Sequence, residues 1–174
     1  MKIGMVSLGC TKNLVDSETA LGLFKENGFT FTEDPAQADV IMVNTCGFIG
    51  PAKEESIDTI LEMAQYKQTG CCKLLVVTGC LAQRYEKDLM GEIPEIDLML
   101  GVNQYAQLIP AVNKALADHA RVSLCGVRTD FLEHDRVLTT PFYTAYTRIG
   151  DGCSNRCTYC AIPIIRGQYR SRPM

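Results

Sequence analysis

Lys73-Leu74-Leu75-Val76-Val77-Thr78-Gly79-Cys80 is the stretch on which the fold turns. Its short apolar run reads as a strand over residues 73–78. A helical pattern over residues 82–92 follows the glycine and cysteine and stops before Pro94. The same succession recurs on either side. Residues 2–8, 39–43 and 97–100 read as further strands, with residues 30–32 a weaker one. A helix is predicted over residues 13–27, ending before Gly28. Another over residues 51–66 sets Ile57, Ile60, Leu61 and Ala64 on one face, with Pro51 suited to its first turn. A weaker helical pattern over residues 103–116 is divided or restarted by Pro110. This alternation of strand and helix implies a parallel sheet covered on both faces, with right-handed crossovers. The expected fold class is therefore α/β, a doubly wound, flavodoxin-like sheet with strand order 2-1-3-4-5.

From residue 120 to 141 the periodicity is lost. Residues 121–125 and 137–140 could pair as a small hairpin, and the domain boundary is placed here. A new strand over residues 144–149 then opens a second unit. The expected division is residues 1–140 as one domain and 141–174 as the incomplete start of another. At 174 residues, the chain has room for one full domain and a remainder too short for a second.

Composition narrows the class. Apolar residues make up 47% and charged residues 21%, with 14 Gly and 7 Pro, which excludes collagen-like, low-complexity and disordered chains. No apolar run approaches the ~18 residues that span a bilayer, and the short run ending at Cys10 does not form a signal-peptide core. The expected location is the cytoplasm. There, nine cysteines do not form a disulfide framework, so metal or redox chemistry is the better expectation. Net charge is −3, but residues 145–174 hold five arginines against Asp151, a local +4. That suits a solvated basic face or a site for an anionic cofactor better than direct nucleic-acid contact, because the remainder is acidic.

The cysteines divide by position. Cys10, Cys46 and Cys80 each follow a predicted strand and precede a predicted helix, so an open parallel sheet carries all three to its carboxyl edge. Three thiolates near helix N-termini make a mount for an iron-sulfur cluster or zinc, with a fourth metal position left open. Cys153, Cys157 and Cys160 form C-x3-C-x2-C within Gly150-Asp151-Gly152-Cys153-Ser154-Asn155-Arg156-Cys157-Thr158-Tyr159-Cys160. One loop can wrap three corners of a cuboidal cluster and leave one iron for a small molecule. Adjacent Cys71 and Cys72 point in opposite directions in extended backbone and do not suit one metal. They and Cys125 read as structural, and His119 and His134 as surface residues. Asp16, Ser17 and Glu18 read as a polar first turn of the first helix, the other reading being groups that support the metal ligands from behind.

C-x3-C-x2-C with aromatic Tyr159 before its last cysteine resembles the signature of radical S-adenosylmethionine enzymes. The flanks are more specific: Leu8-Gly9-Cys10-Thr11-Lys12-Asn13, Asn44-Thr45-Cys46-Gly47-Phe48-Ile49, Thr78-Gly79-Cys80-Leu81-Ala82-Gln83-Arg84, and Ile162-Pro163-Ile164-Ile165-Arg166-Gly167 followed by Arg170-Ser171-Arg172-Pro173. Together they resemble the methylthiotransferases over essentially the whole chain. The resemblance implies two 4Fe-4S clusters, an auxiliary one on Cys10, Cys46 and Cys80 and a radical-generating one on Cys153, Cys157 and Cys160. It also implies S-adenosyl-L-methionine as cofactor, with Tyr159 near its adenine; a packing role is the other reading of that tyrosine.

Lys12-Asn13 with Asp16-Ser17-Glu18, and Gly47-Phe48-Ile49 with residues 52–58, resemble the branch that modifies small-subunit ribosomal protein 12, free or on the assembled subunit. In that branch one S-adenosylmethionine methylates sulfur at the auxiliary cluster. Cleavage of a second yields a radical that takes hydrogen from the β-carbon of an aspartate, which then captures the methylthio group. Two alternatives remain at this point, a tRNA adenosine methylthiotransferase and a non-catalytic metal-binding module. The resemblance also implies that the barrel enclosing the cofactor lies beyond this chain, so the fragment by itself is expected to be inactive. Arg166, Arg170 and Arg172 could pair with the cofactor carboxylate, contact substrate or lie in solvent.

Overall fold

A computed structural model describes residues 1–126 and 134–172. Its centre is two strands, β3 (Val40–Thr45) and β4 (Leu74–Gly79), buried along their whole length and paired in parallel from Val40–Leu74 to Thr45–Gly79. Their side chains alternate between two cores, as a strand covered on both faces requires. Val40, Met42, Leu74 and Val76 enter one core, and Ile41, Val43, Leu75 and Val77 enter the other. On one side of β3 lie β1 (Lys2–Ser7) and β2 (Thr30–Phe31). On the far side of β4 lie β5 (Leu98–Leu100) and β6 (Val122–Leu124). All five pairings are parallel, in the order β2-β1-β3-β4-β5-β6. The flavodoxin-like, doubly wound expectation holds, extended by one strand.

Helices fill both faces. The first core takes Ala20, Leu23 and Phe24 from α1 (Thr11–Glu26). The second takes Ile60, Met63 and Ala64 from α2 (Gly50–Ala64), whose Pro51 lies in the first turn as the sequence suggested. A single turn, α3 (Tyr66–Thr69), follows. The helix expected over 82–92 is divided at Tyr85 into α4 (Cys80–Arg84) and α5 (Glu86–Glu92). On the first face, α6 (Leu108–Asp118) contributes Leu108, Ala111, Val112 and Ala115, and Pro110 lies within its first turn, where its missing N–H costs nothing. No helix of the described residues is long and apolar enough to cross a membrane.

Two expectations at the boundary are corrected. Residues 122–124 do not pair with 137–140; they extend the sheet edge, in register from Leu98–Val122 to Leu100–Leu124. The Arg121 guanidinium holds them there by donating to the carbonyls of Met90, Ile93 and Ile96. Residues 137–140 are drawn instead to α1. The Val137 N–H donates to the Glu18 carbonyl, and the Thr139 N–H donates to the buried Glu18 carboxylate at 2.9 Å. Residues 144–149 form no strand either. The ladder that does form is antiparallel and short, between β7 (Gly150–Asp151) and β8 (Arg170–Ser171), with α7 (Ile162–Arg166) between them.

Candidate functional site

All three cysteines that follow strands sit at the carboxyl edge of the sheet. Cys10 caps the N-terminus of α1, Cys46 follows β3, and Cys80 opens α4 directly after β4. Glycines let the three loops approach one another. Gly9 has φ +90°, and a Cβ placed on it would lie 3.2 Å from the Cys46 Sγ. One on Gly47 would lie 2.8 Å from Leu81 Cα and 3.0 Å from the Cys80 carbonyl carbon. Gly79 has φ +101° and rests on Thr45 and Asn44 so closely that a Cβ would fall 2.3 Å from the Thr45 carbonyl oxygen.

A buried polar network holds this edge rigid. The Asn13 amide donates to the carbonyls of Leu8 and Thr45, at 3.0 and 2.9 Å, tying the end of β1 to the end of β3. Asn44 donates to the Asn13 carbonyl and to Ser17 Oγ, which in turn donates to Ser7 Oγ. Thr45 Oγ1 donates to the Thr78 carbonyl, while Ser56 Oγ accepts from the Cys46 N–H. The Cys80 thiol donates to Asn13 Oδ1 at 3.5 Å. Burial pushes this thiol up from its ordinary pKa, and the adjacent Arg166 guanidinium offsets part of that shift. Asn44 Oδ1, lying over Gly79, is buried without a hydrogen-bond partner among the described residues.

Asp16, Ser17 and Glu18 are therefore not a solvated first turn. All three are fully buried, because α1 is covered on one side by the sheet and on another by residues 135–139. Gly22, one turn beyond Glu18, lets the chain cross: a Cβ there would meet the Asp135 carbonyl oxygen at 2.0 Å. Asp16 pairs with Arg148 and, at 2.7 Å, with Arg166, itself only 1% exposed. Arg166 also faces Asp151 at 3.4 Å. Burial alone would push its pKa down, but Asp16 and Asp151 reverse the direction and keep it charged. Arg170 joins the same cluster through Asn103 and Asp151. Sequence reasoning left the arginines unassigned and missed Asn44, Thr45 and Asp151. The available signal was a helix carrying Asn13, Asp16, Ser17 and Glu18 where apolar periodicity should run, since polar groups inside a covered helix need internal partners.

The second cysteine group lies in one loop. Cys153, Cys157 and Cys160, with Ser154, Arg156, Thr158, Pro163, Ile164 and Gln168, line an open cavity of about 410 Å³. The loop is closed at its ends, where the Cys153 N–H donates to the Gly167 carbonyl and the Tyr169 N–H to Ser154 Oγ. Tyr159 is 87% exposed. Cys72 is buried and Cys125 half-buried, and burial, with Glu86 adding to it, pushes the Cys125 thiol up to about 12. His119 ends α6 with φ +49°. Among the described residues, no three His, Cys, Asp or Glu side chains lie close enough to hold a single metal ion. The donor chemistry of both groups fits an iron-sulfur cluster: each presents three thiols, one set on glycine-packed loop ends and the other around an open cavity.

Known proteins resemble the chain in sequence. The family model described as Uncharacterized protein family UPF0004 matches residues 2–101, from β1 to the end of β5. The Ribosomal protein uS12 methylthiotransferase RimO of Desulforamulus reducens is 57% identical over 176 residues, covering 99% of this chain and 39% of its own length. Its namesake from Lachnoclostridium phytofermentans is 52% identical, covering 100% of this chain and 40% of its own. That from Clostridium kluyveri is 54% identical, covering 99% and 39%. The chain thus spans about two fifths of the length of the curated relatives it matches. With the matched sheet carrying Cys10, Cys46 and Cys80, the chain belongs to Uncharacterized protein family UPF0004, and the methylthiotransferase resemblance in its motifs is borne out by these relatives.

Proposed function

We propose that the complete protein is a radical S-adenosylmethionine methylthiotransferase of the cytoplasm that modifies the β-carbon of an aspartate in small-subunit ribosomal protein uS12. In this reading residues 1–140 form the domain that mounts an auxiliary 4Fe-4S cluster on Cys10, Cys46 and Cys80. Residues 141–174 begin the radical domain, with a second cluster on Cys153, Cys157 and Cys160 and with Tyr159 near the cofactor adenine. When bound, the clusters and S-adenosylmethionine would supply the radical, the methyl group and the sulfur. The protein's own part is placement and protection. Asn13, Asn44 and Thr45 fix the sheet-edge thiols, Gly9 and Gly47 bring their loops together, and the 150–171 segment presents the other three cysteines in one open loop.

One observation carries the reading: Arg166, six residues after Cys160, is buried against Asn13, Asp16 and Cys80, so the segment bearing one cysteine group is docked on the other. The names of the relatives favour the ribosomal protein over tRNA as substrate. The test is mass spectrometry of ribosomal protein uS12 and of tRNA nucleosides from cells with and without the gene. A methylthio increment that disappears from the ribosomal protein agrees; one that disappears from tRNA contradicts the substrate. In the complete enzyme, Cys157→Ala should abolish 5′-deoxyadenosine formation, and continued formation contradicts the radical assignment.

A further inference from the structure

Arg166 touches one cysteine group and stands next to the peptide that closes the other. The second is closed by Gly167, the next residue, whose carbonyl accepts the Cys153 N–H at 3.1 Å, and the Arg166 carbonyl accepts from Arg170 at 2.9 Å. Its side chain reaches the first. Nη2 donates to Asp16 at 2.7 Å and to Asn13 Oδ1 at 3.0 Å, and lies 3.9 Å from the Cys80 Sγ. Nη1 faces both carboxylate oxygens of Asp151, at 3.4 and 3.5 Å. With Asp16, Asp151 and Asn13 holding the fork, the guanidinium does not need a ligand to reach its place, and its planar geometry suits several acceptors at once. The Cys80 thiol now gives its proton to Asn13 Oδ1. A thiolate loses that bond, and Arg166 becomes the donor aimed at the sulfur.

We propose that Arg166 is a positioning residue for the group on Cys10, Cys46 and Cys80. It donates to the Cys80 sulfur, raises that group's reduction potential, and ties its mount to the peptide that closes the Cys153 loop. Donors and positive charge at ligand sulfurs favour the reduced, more negative state. The inference rests on the proposed iron-sulfur reading, and the experiment separates the two. In the complete protein with Cys153, Cys157 and Cys160 changed to Ala, only the sheet-edge group can load. Anaerobic reconstitution should give about four irons per chain, and its midpoint potential is then followed by EPR-monitored titration.

Arg166→Gln should raise the oxidised-to-reduced ratio at fixed potential about tenfold, equivalent to a midpoint ~59 mV lower for one electron. Arg166→Lys, which keeps the charge without the fork, should recover part of the shift. An unchanged midpoint in a loaded Arg166→Gln protein overturns the inference alone, whereas a parent that takes up no iron overturns the cluster reading and the inference with it. If Arg166→Gln does not fold, the Arg166→Gln/Asp16→Asn pair removes the partner charge as well and carries the same titration.

Discussion

The two cysteine groups present three thiols each but are built by opposite means. Cys10, Cys46 and Cys80 come from the ends of different strands and share one sheet edge only because β1, β3 and β4 are neighbours in the parallel sheet. Cys153, Cys157 and Cys160 lie in one loop between β7 and α7, around an open cavity, and owe their closeness to sequence spacing. The first group therefore depends on global stability and on internal hydrogen bonds. The second depends on local closure, with Arg166 joining one to the other.

Backbone strain should give the largest difference. Gly79→Ala places a Cβ against Thr45 and Asn44 at a positive φ, and is expected to cost about 3 kcal/mol or more by urea unfolding and to remove the sheet-edge site. Gly152→Ala creates the same conflict with the Gln168 carbonyl oxygen, but should disturb only the 150–171 segment. Circular dichroism should show the sheet unfolding as before while the loop cysteines gain reactivity. Equal loss of sheet stability from both substitutions would erase the distinction.

Asn13→Ala comes next. Removing a buried amide that donates to the Leu8 and Thr45 carbonyls and accepts from Arg166 leaves two acceptors and a donor without that partner, at about 2 to 3 kcal/mol, read from the denaturant midpoint. Cys157→Ala, at an exposed position, should change stability by less than about 0.5 kcal/mol, and a larger change would mean that the loop is part of the core. A thiol titrating at about 12 stays protonated at pH 8, so Cys125 should resist iodoacetamide in the folded protein while exposed Cys71 is alkylated.

The smallest effect concerns pH. Hydrogen bonds from Lys73 and from the Lys2 N–H hold the Asp39 carboxyl below its ordinary value near 3.8. A depressed carboxylate pKa contributes stability that is present above the unfolded value and is lost as pH falls through the folded one. Asp39→Asn should therefore flatten the stability-against-pH curve below about pH 4 and leave its shape at neutral pH unchanged. Identical acid limbs in the two proteins would remove Asp39 from the acid response.

Legibility in the sequence followed the same division. The parallel order and both cysteine groups could be read because apolar runs, Gly-Cys junctions and C-x3-C-x2-C are local signals. What could not be read was set by tertiary partners. Residues 122–124 could form a hairpin or lengthen the sheet, and the choice rests on Arg121 and the open edge of β5. Residues 144–149 carry strand-like composition, yet the Thr144 N–H turns back to the Pro141 carbonyl and the Ile149 carbonyl accepts from the Arg172 N–H, so no ladder forms along them. Asp16 and Glu18 look like surface residues on a helix until Arg166, Arg148 and Thr139, more than 100 residues away in sequence, supply their counter-charges and donors.

Iron, zinc and acid-labile sulfide per chain after anaerobic reconstitution test most directly whether there are two separate mounts. The parent protein should hold about eight irons with matching sulfide, and about four should remain when either Cys10, Cys46 and Cys80 or Cys153, Cys157 and Cys160 are replaced by Ala. Stoichiometric zinc without labile sulfide, or loss of all iron from either triple variant, would contradict it.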